Sequence, residues 1–543
     1  MVKYWYKNAI IYTTHVETFL DGNGDGIGDF RGLTMSLDYL AGLGITCIWL
    51  LPFFPTPNRD HGYDVTDYFS VDPRFGNLGH FVEFVDAADE RGIRVIIDLV
   101  INHTFIDHPW FQEARKDKNS KYRKYYIWLD EKPANPNQDI VFGHHQDGNW
   151  EYDQVAGQYY YHTFYKHQAD LNIANPQVQE EIKYIIQFWL KLGISGFRMD
   201  AVTHILNRKG NEKFDGDPHQ FLRDIRSFVE DQRPDAILLA EVDTESSRYR
   251  HYFGEGDQVQ MLFNFYLNNY LFLALATGEA KPIIKAVKEI PLKSVKEQMA
   301  TFVRTHDELD LERLSKKERE LVYAAFAPDE NMRIYGRGIR RRLAPMMNND
   351  RHRIELVYSL LFSLPGTPVL RYGDELGMGE DLSLPERNSV RTAMQWTDET
   401  HGGFSSAKRH DIPVPVIEDG EFGYKQINVH KQMRDPGSLL SWIERIIAAR
   451  KECVEFGFGE CKFLKTGNEA VLAHVCHWKN AFSVAFHNLG NSEVAVEVEF
   501  AKEEEMHVIE CFADKTYDHF QPGQPVKLGP YGYRWFRKSP IFI

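Results

Sequence analysis

Eight short stretches of this chain are hydrophobic at nearly every position and finish in polar or charged residues. They are Ala9–Tyr12, Cys47–Leu51, Val95–Val100, Gly196–Val202, Ala236–Glu241, Met261–Phe265, Ala300–Arg304 and Thr367–Leu370. Runs that are apolar at consecutive rather than alternate positions predict strands buried on both faces, as in a parallel sheet. Most of the intervals carry apolar residues at helical spacing, as in Leu33–Leu43, Phe81–Gly92, Val178–Leu192 and Arg353–Leu364. Strands and helices alternating in that number predict an α/β chain folded as a (β/α)8 TIM barrel. The competing topology, an open doubly wound sheet, needs fewer strands and usually a Gly-rich phosphate turn, and no GxGxxG is present.

The pattern breaks twice. After the third apolar run comes a long stretch rich in Tyr, His, Asn and Asp, read as a small subdomain inserted over the barrel mouth. Beyond the helical stretch Leu439–Arg450 the apolar period becomes two, as at Val494, Val496 and Val498, and in Val471–Val475 and Phe482–Phe486. That period predicts a C-terminal antiparallel β-sandwich. The expected layout is barrel over 1–103 and 171–453, inserted subdomain over 104–170, and C-terminal sandwich over 454–543.

Composition narrows the function. The chain has 543 residues, 43% of them hydrophobic, and a formal net charge of -15. So acidic a balance excludes nucleic acid and an anionic membrane surface as partners. No apolar run reaches the roughly 18 residues of a membrane helix, and Met1–Lys7 does not resemble a signal peptide. The five cysteines show no CxxC spacing and read as free thiols, so a cytoplasmic protein is expected.

The chemistry sits where strands end. Asp200, Glu241 and Asp307 each close or follow an apolar run, and in such a barrel the C-terminal strand ends carry the active site. Two carboxylates flanking one bond are what glycoside cleavage needs, one as nucleophile and one as proton donor. Arg198 stands two residues before Asp200, on the same side of its strand, where a fixed cation would hold Asp200 ionised. Taken singly, each acid could equally be a helix cap or a surface ion pair. Trp110, Trp150, Tyr159 and Tyr160 in the insertion are either a stacking wall for sugars or internal packing. Asp21, Asn23, Asp25 and Asp29 offer oxygens at alternate positions, as calcium loops do, but Gly32 stands where an EF-hand has its glutamate.

As a set, Asp98–His103, Gly196–Asp200, Glu241 and His306–Asp307 resemble the conserved regions of the α-amylase family, glycoside hydrolase family 13. The resemblance implies Asp200 as nucleophile, Glu241 as general acid/base and Asp307 as transition-state stabiliser, with His103, Arg198 and His306 on the sugar. Gly62–Asp64 and Arg391–Trp396 resemble exo-acting members. There Asp64 and Arg391 would pair to close the pocket beyond one glucose, and Tyr63 would stack on its ring. Structural Ca2+ is implied on Asp21, Asn23, Asp25, Asp29 and the Ile27 carbonyl, with a second, weaker set of Asn102, Asp170 and the His204 carbonyl. No organic cofactor is implied.

Within the family, Ile339–Pro345, Ala324–Asp329 and Asn349–Arg351 are similar to the trehalose synthase branch. That likeness implies a small α-glucoside substrate and interconversion of maltose and trehalose through a covalent glucosyl-enzyme. Thr305, Val242-Asp243-Thr244, Ala169, Thr13-Thr14 and Asn207 depart from that branch. Transfer to water or to another acceptor therefore stands as the alternative, and self-association into a homo-oligomer is compatible with the sequence.

Overall fold

The computed structural model describes residues 4–135, 140–142, 146–207, 217–290, 292–498, 508–520 and 523–538. Eight parallel strands close into a barrel: β1 (Ile11–Thr14), β2 (Cys47–Leu50), β3 (Arg94–Leu99), β4 (Gly196–Met199), β5 (Ile237–Ala240), β6 (Met261–Phe263), β7 (Gln298–Phe302) and β8 (Thr367–Arg371). The ring is sealed by β8 pairing with β1 at Ile11↔Val369. All eight apolar runs lie in it.

Their continuous hydrophobicity has a simple cause. Ile11, Trp49, Ile96, Leu239, Phe263, Phe302 and Val369 point into the barrel and pack on one another. The residues between them, such as Ile10, Ile48, Leu50, Val95 and Ile97, face the surrounding helices. Period two is present but hidden, because both faces are dry.

The helices begin where the sequence supplies caps. Asn77 accepts from the His80 amide at the head of Leu78–Glu90, and Asn175 accepts from Gln177 ahead of Pro176–Lys191. The expected helix over 33–43 divides into Phe30–Met35 and Leu37–Leu43. Ser36 causes the division, since its hydroxyl bonds back to the Gly32 carbonyl.

The insertion leaves the barrel through a two-stranded neck, His103–Phe105 against Gln168–Asp170, in register His103↔Asp170. It then forms a small sheet of Trp128–Leu129, Gln158–Tyr161 and Trp150–Asp153. Its aromatic residues pack internally: Trp110 meets Tyr125 at 5.4 Å and Tyr160 meets Phe111 at 5.1 Å. Trp110, Trp150, Tyr159 and Tyr160 are absent from the walls of the main pocket, so the packing reading of these rings holds.

At the C-terminus a five-stranded antiparallel sheet and a two-stranded ribbon, Val494–Val496 with Val526–Leu528, enclose a separate apolar cluster. In Val471–Trp478 the odd residues Val471, Ala473 and Val475 face that cluster, while Leu472 and Cys476 face the barrel core. Among the described residues no helix is long and apolar enough to cross a membrane. All five cysteines are free.

Candidate active site

Three strand ends bring the first acids together. Arg198, buried on β4, donates Nη1 to Asp200 Oδ1 at 2.7 Å and to Asp98 Oδ1 at 2.5 Å. Its Nη2 lies 2.8 Å from Glu241 Oε2, so one guanidinium ties three carboxylates. The backbone locks this in place. Ala201 adopts φ 48, uncommon for a residue with a Cβ, and its amide donates to Glu241 Oε2 at 2.9 Å. The Val202 amide donates to the Glu241 carbonyl at 3.1 Å. The turn after Asp200 is thus bonded to the very residue that faces it.

Burial pushes the Asp200 carboxyl well above the usual carboxylate range; Arg198 opposes the shift, while Glu241 and Asp98 add to it. Asp200 and Glu241 stand on the two terminal nitrogens of one guanidinium, so the Glu241 carboxylate presses on Asp200. Asp98 is raised to about 6 by burial, against the pull of Arg198 and the Trp49 indole, which donates to it at 2.8 Å.

Asp307 follows β7 and faces the opposite electrostatics. Burial would raise its carboxyl, but His306, Arg387 and Arg391 outweigh that and hold it far below the ordinary value. Arg387 Nη1 and Arg391 Nη2 reach Asp307 Oδ1 at 2.7 and 2.8 Å, and His306 Nε2 lies 3.1 Å from Oδ2. His306 is in turn lowered, first by burial, and accepts or donates at 2.8 Å with the Tyr63 hydroxyl, their rings stacked at 5.7 Å.

One expected pair does not form. Asp64 spends its carboxylate on the amides of Arg59 at 2.9 Å and Asp60 at 3.1 Å, shaping its own loop. Arg391 instead bonds Asp307 and the His306 carbonyl. The bridge that spans this side of the pocket is Asp60 Oδ1 to Arg387 Nη2 at 3.0 Å. The expected pair lies four residues away on both sides, because 60–64 offers two aspartates, Asp60 and Asp64, and 387–391 offers two arginines. Between the two aspartates the backbone turns through the left-handed region at His61, with φ 46, and Gly62, with φ 91. Asp60, Arg387 and the Asp98 anchor of Arg198 were the functional side chains not singled out.

These groups line one cavity of about 330 Å3, within the size class of small-ligand pockets. Asp200, Glu241, Asp307, Arg198, Tyr63, His103 and His306 all reach it; Asp64 and Arg391 do not. His103 is held by a 2.9 Å bond to the Tyr63 carbonyl. A further wall is formed by Thr305, Asp243, Asp310 and Glu312, with Arg313 Nε 3.2 Å from Asp243. The insertion supplies a roof, Ile140 to Phe142, hooked down by a 2.8 Å bond from Arg337 Nη1 to the Val141 carbonyl.

The two candidate metal sets differ. In the loop, Asp21 accepts from the Asn23, Gly24 and Gly26 amides, and Asp29 Oδ1 from Gly22 and Gly32. Asp29 Oδ2 is buried with no hydrogen-bond partner, an orphan oxygen in an all-oxygen donor set, which fits a hard cation. The second set does not make the same case. Asp170 accepts from the Thr163 amide at 2.8 Å and hydroxyl at 2.6 Å, and the His204 carbonyl accepts from Asn207 at 3.2 Å. Asn102 turns its amide nitrogen, 3.3 Å away, toward Asp170. Those acceptors are supplied with protein donors.

The α-amylase catalytic domain model matches residues 11–457. The chain belongs to the α-amylase family. It is 43% identical over 87% of its length to a trehalose synthase/amylase of Mycolicibacterium smegmatis, covering 80% of that protein. To a trehalose synthase of Pimelobacter it is 38% identical over 98% of its length, covering 96% of the relative. Among solved structures, the α-amylase from H. orenii superposes with a TM-score of 0.80 at 28% identity, over 98% of this chain and all of that one. As a family member, the chain is a carbohydrate-processing enzyme of the glucosyl transferase, isomerase or glucosidase kind.

Proposed function

We propose that this enzyme interconverts maltose and trehalose by moving one glucosyl unit within a closed pocket. The observation that carries the reading is the single guanidinium of Arg198 shared by Asp200 and Glu241, opposite an Asp307 kept ionised by two arginines. Asp200 and Glu241 are held 2.7 and 2.8 Å from the two terminal nitrogens of one guanidinium, a close placement that favours retention over inversion.

Asp200 attacks the anomeric carbon of the non-reducing glucose of maltose, and the bond to O4 of the second glucose breaks. Glu241 delivers the proton to that O4, leaving a glucosyl ester on Asp200. Asp307, a fixed carboxylate, faces the oxocarbenium-like charge that develops between these states. The released glucose turns, and its anomeric hydroxyl attacks the same carbon. Glu241 takes the proton, the ester to Asp200 breaks, and the α,α-1,1 link is formed.

Tyr63, His103, His306 and the Asp60–Arg387 bridge surround the bound ring, the bridge suiting vicinal hydroxyls. Likeness to trehalose synthases supports the choice of acceptor. Calcium would be held by Asp21, Asn23, Asp25, Asp29 and the Ile27 carbonyl, where the unpartnered Asp29 oxygen supports it; bound there it supplies rigidity and no chemistry. The free thiols support a cytoplasmic setting.

Chromatography of products from pure protein and maltose tests the reading. Trehalose in excess over glucose is expected. Glucose or longer oligosaccharides without trehalose would replace isomerisation by hydrolysis or by transfer to another acceptor.

A further inference from the structure

Tyr63 and His306 line two spaces: the sugar pocket and a second, smaller cavity of about 10 Å3. That volume is about one water-sized particle. Arg371, Arg391, His15 and His61 also wall it, and among the described residues no carboxylate does. The charge at this water-sized space comes from the two guanidiniums, while burial holds the His15, His61 and His306 rings neutral and leaves them as N–H donors.

Arg371 is the decisive group. It ends β8 at 1% exposure, and its Nη2 donates to the Val390 carbonyl. Its Nε and Nη1 are buried with no protein acceptor. Asp374, whose field reaches Arg371, has its Oδ1 3.1 Å from Arg342, and it faces Arg304 as well. Three buried arginines thus share that carboxylate. Arg391, by contrast, is matched by Asp307. His15 Nε2 and His306 Nδ1 are likewise buried and unpartnered. Glu17 approaches His15 only at its other nitrogen, 3.7 Å from Nδ1.

A buried guanidinium with only a third share of one carboxylate is under-compensated, and orphan donors require an acceptor. Water would accept from the donors but leave the charge. We infer that this cavity binds one small monovalent anion of the halide class, with Arg371 Nε and Nη1 as its principal donors and the His15 and His306 rings completing the shell. Because His306 also meets Tyr63 and Asp307, the ion would stand directly behind the wall of the sugar pocket.

The test needs no sugar. Thermal unfolding of the full chain is followed in sodium chloride, bromide or gluconate at one ionic strength. A saturable halide-specific rise of roughly 2–5 °C is expected, lost in Arg371→Met. Diffraction at the bromine edge from bromide-soaked wild-type crystals keeps the test independent of whether that variant folds. An anomalous peak within the cavity is expected. Equal melting in chloride and gluconate, or bromide found only elsewhere with water in the cavity, would overturn the assignment.

Discussion

Asp200→Asn removes the proposed nucleophile while keeping the shape and one acceptor of the Arg198 cluster, so maltose turnover should fall roughly 10^3-fold or more with folding intact. Unchanged turnover in a steady-state assay would displace Asp200 from its role. Arg387→Ala should cost about 10^2-fold in kcat/KM, since it breaks the bridge to Asp60 and removes one of the two arginines on Asp307. The acids themselves were legible in the sequence because an apolar strand has little other reason to end on a carboxylate. Their partners were not. Whether Asp60 or Asp64 faces the pocket, and whether Arg387 or Arg391 meets it, depends on a left-handed turn at His61 and Gly62 and a loop that no periodicity describes.

A different carboxyl offers a pH test. Glu375, fully buried between the hydroxyls of Tyr12 and Tyr39 at 2.7 Å each, is pushed by burial from its ordinary 4.5 to about 7. Between those values the folded protein holds a proton that the unfolded chain releases. The stabilisation is therefore complete below 4.5 and is lost as pH rises through 7. Glu375→Gln should flatten the fall in stability from pH 5 to 8 by an amount of order 1–3 kcal/mol, read by urea unfolding at the two pH values. An unaltered slope would mean that Glu375 is already ionised at pH 5.

At the scale of elements, the strands were the most readable feature, because burial on both faces writes itself as an unbroken apolar run. Helix limits were less so: Ser36 breaks an otherwise continuous pattern through one hydroxyl bond. The approach of two free thiols was invisible, since contacts across 58 residues leave no spacing signal. Cys453, at the end of the helix Leu439–Glu452, lies 3.7 Å by sulfur from Cys511 on the strand Ile509–Ala513. Mild oxidation should join them and tie the last barrel helix to the C-terminal sheet. Thiol titration falling from five free groups to three, with the linked peptide found by mass spectrometry, would show it. Five remaining thiols would show that the two elements do not approach further. The paired strand positions Cys461 and Cys476 are the competing couple to exclude by mapping.

Across the whole molecule, the C-terminal sheet is part of the support of the barrel. His487 bonds Ser359 at 2.9 Å, His474 bonds the Ser363 carbonyl at 2.9 Å, and Trp535 reaches Ser359 at 3.0 Å, all on one barrel helix, Arg351–Ser363. The loop from Asp21 to Asp29 braces another edge, its Asp21 accepting from the Ser405 hydroxyl and its Gly26 pressed against the Asp411 backbone. If calcium rigidifies that loop, chelation should lower the melting temperature by several degrees, and added Ca2+ should restore it; indifference to chelator would leave the loop held by its own hydrogen bonds.

Arg337 has a consequence for timing. The same side chain that holds the Val141 carbonyl also bonds Asp310 in the pocket wall at 2.5 Å, so roof and wall rest on one hinge pin. If this pin keeps the roof shut over the released glucose, its slipping would let water reach the glucosyl-enzyme first. The ratio of free glucose to trehalose then works as a clock that counts roof openings against sugar rotations. Arg337→Met should make that clock run fast, raising the glucose fraction several-fold at equal maltose consumption and making it climb more steeply with temperature than in the parent chain. A ratio indifferent to the substitution would mean that the released glucose is held by the pocket floor alone.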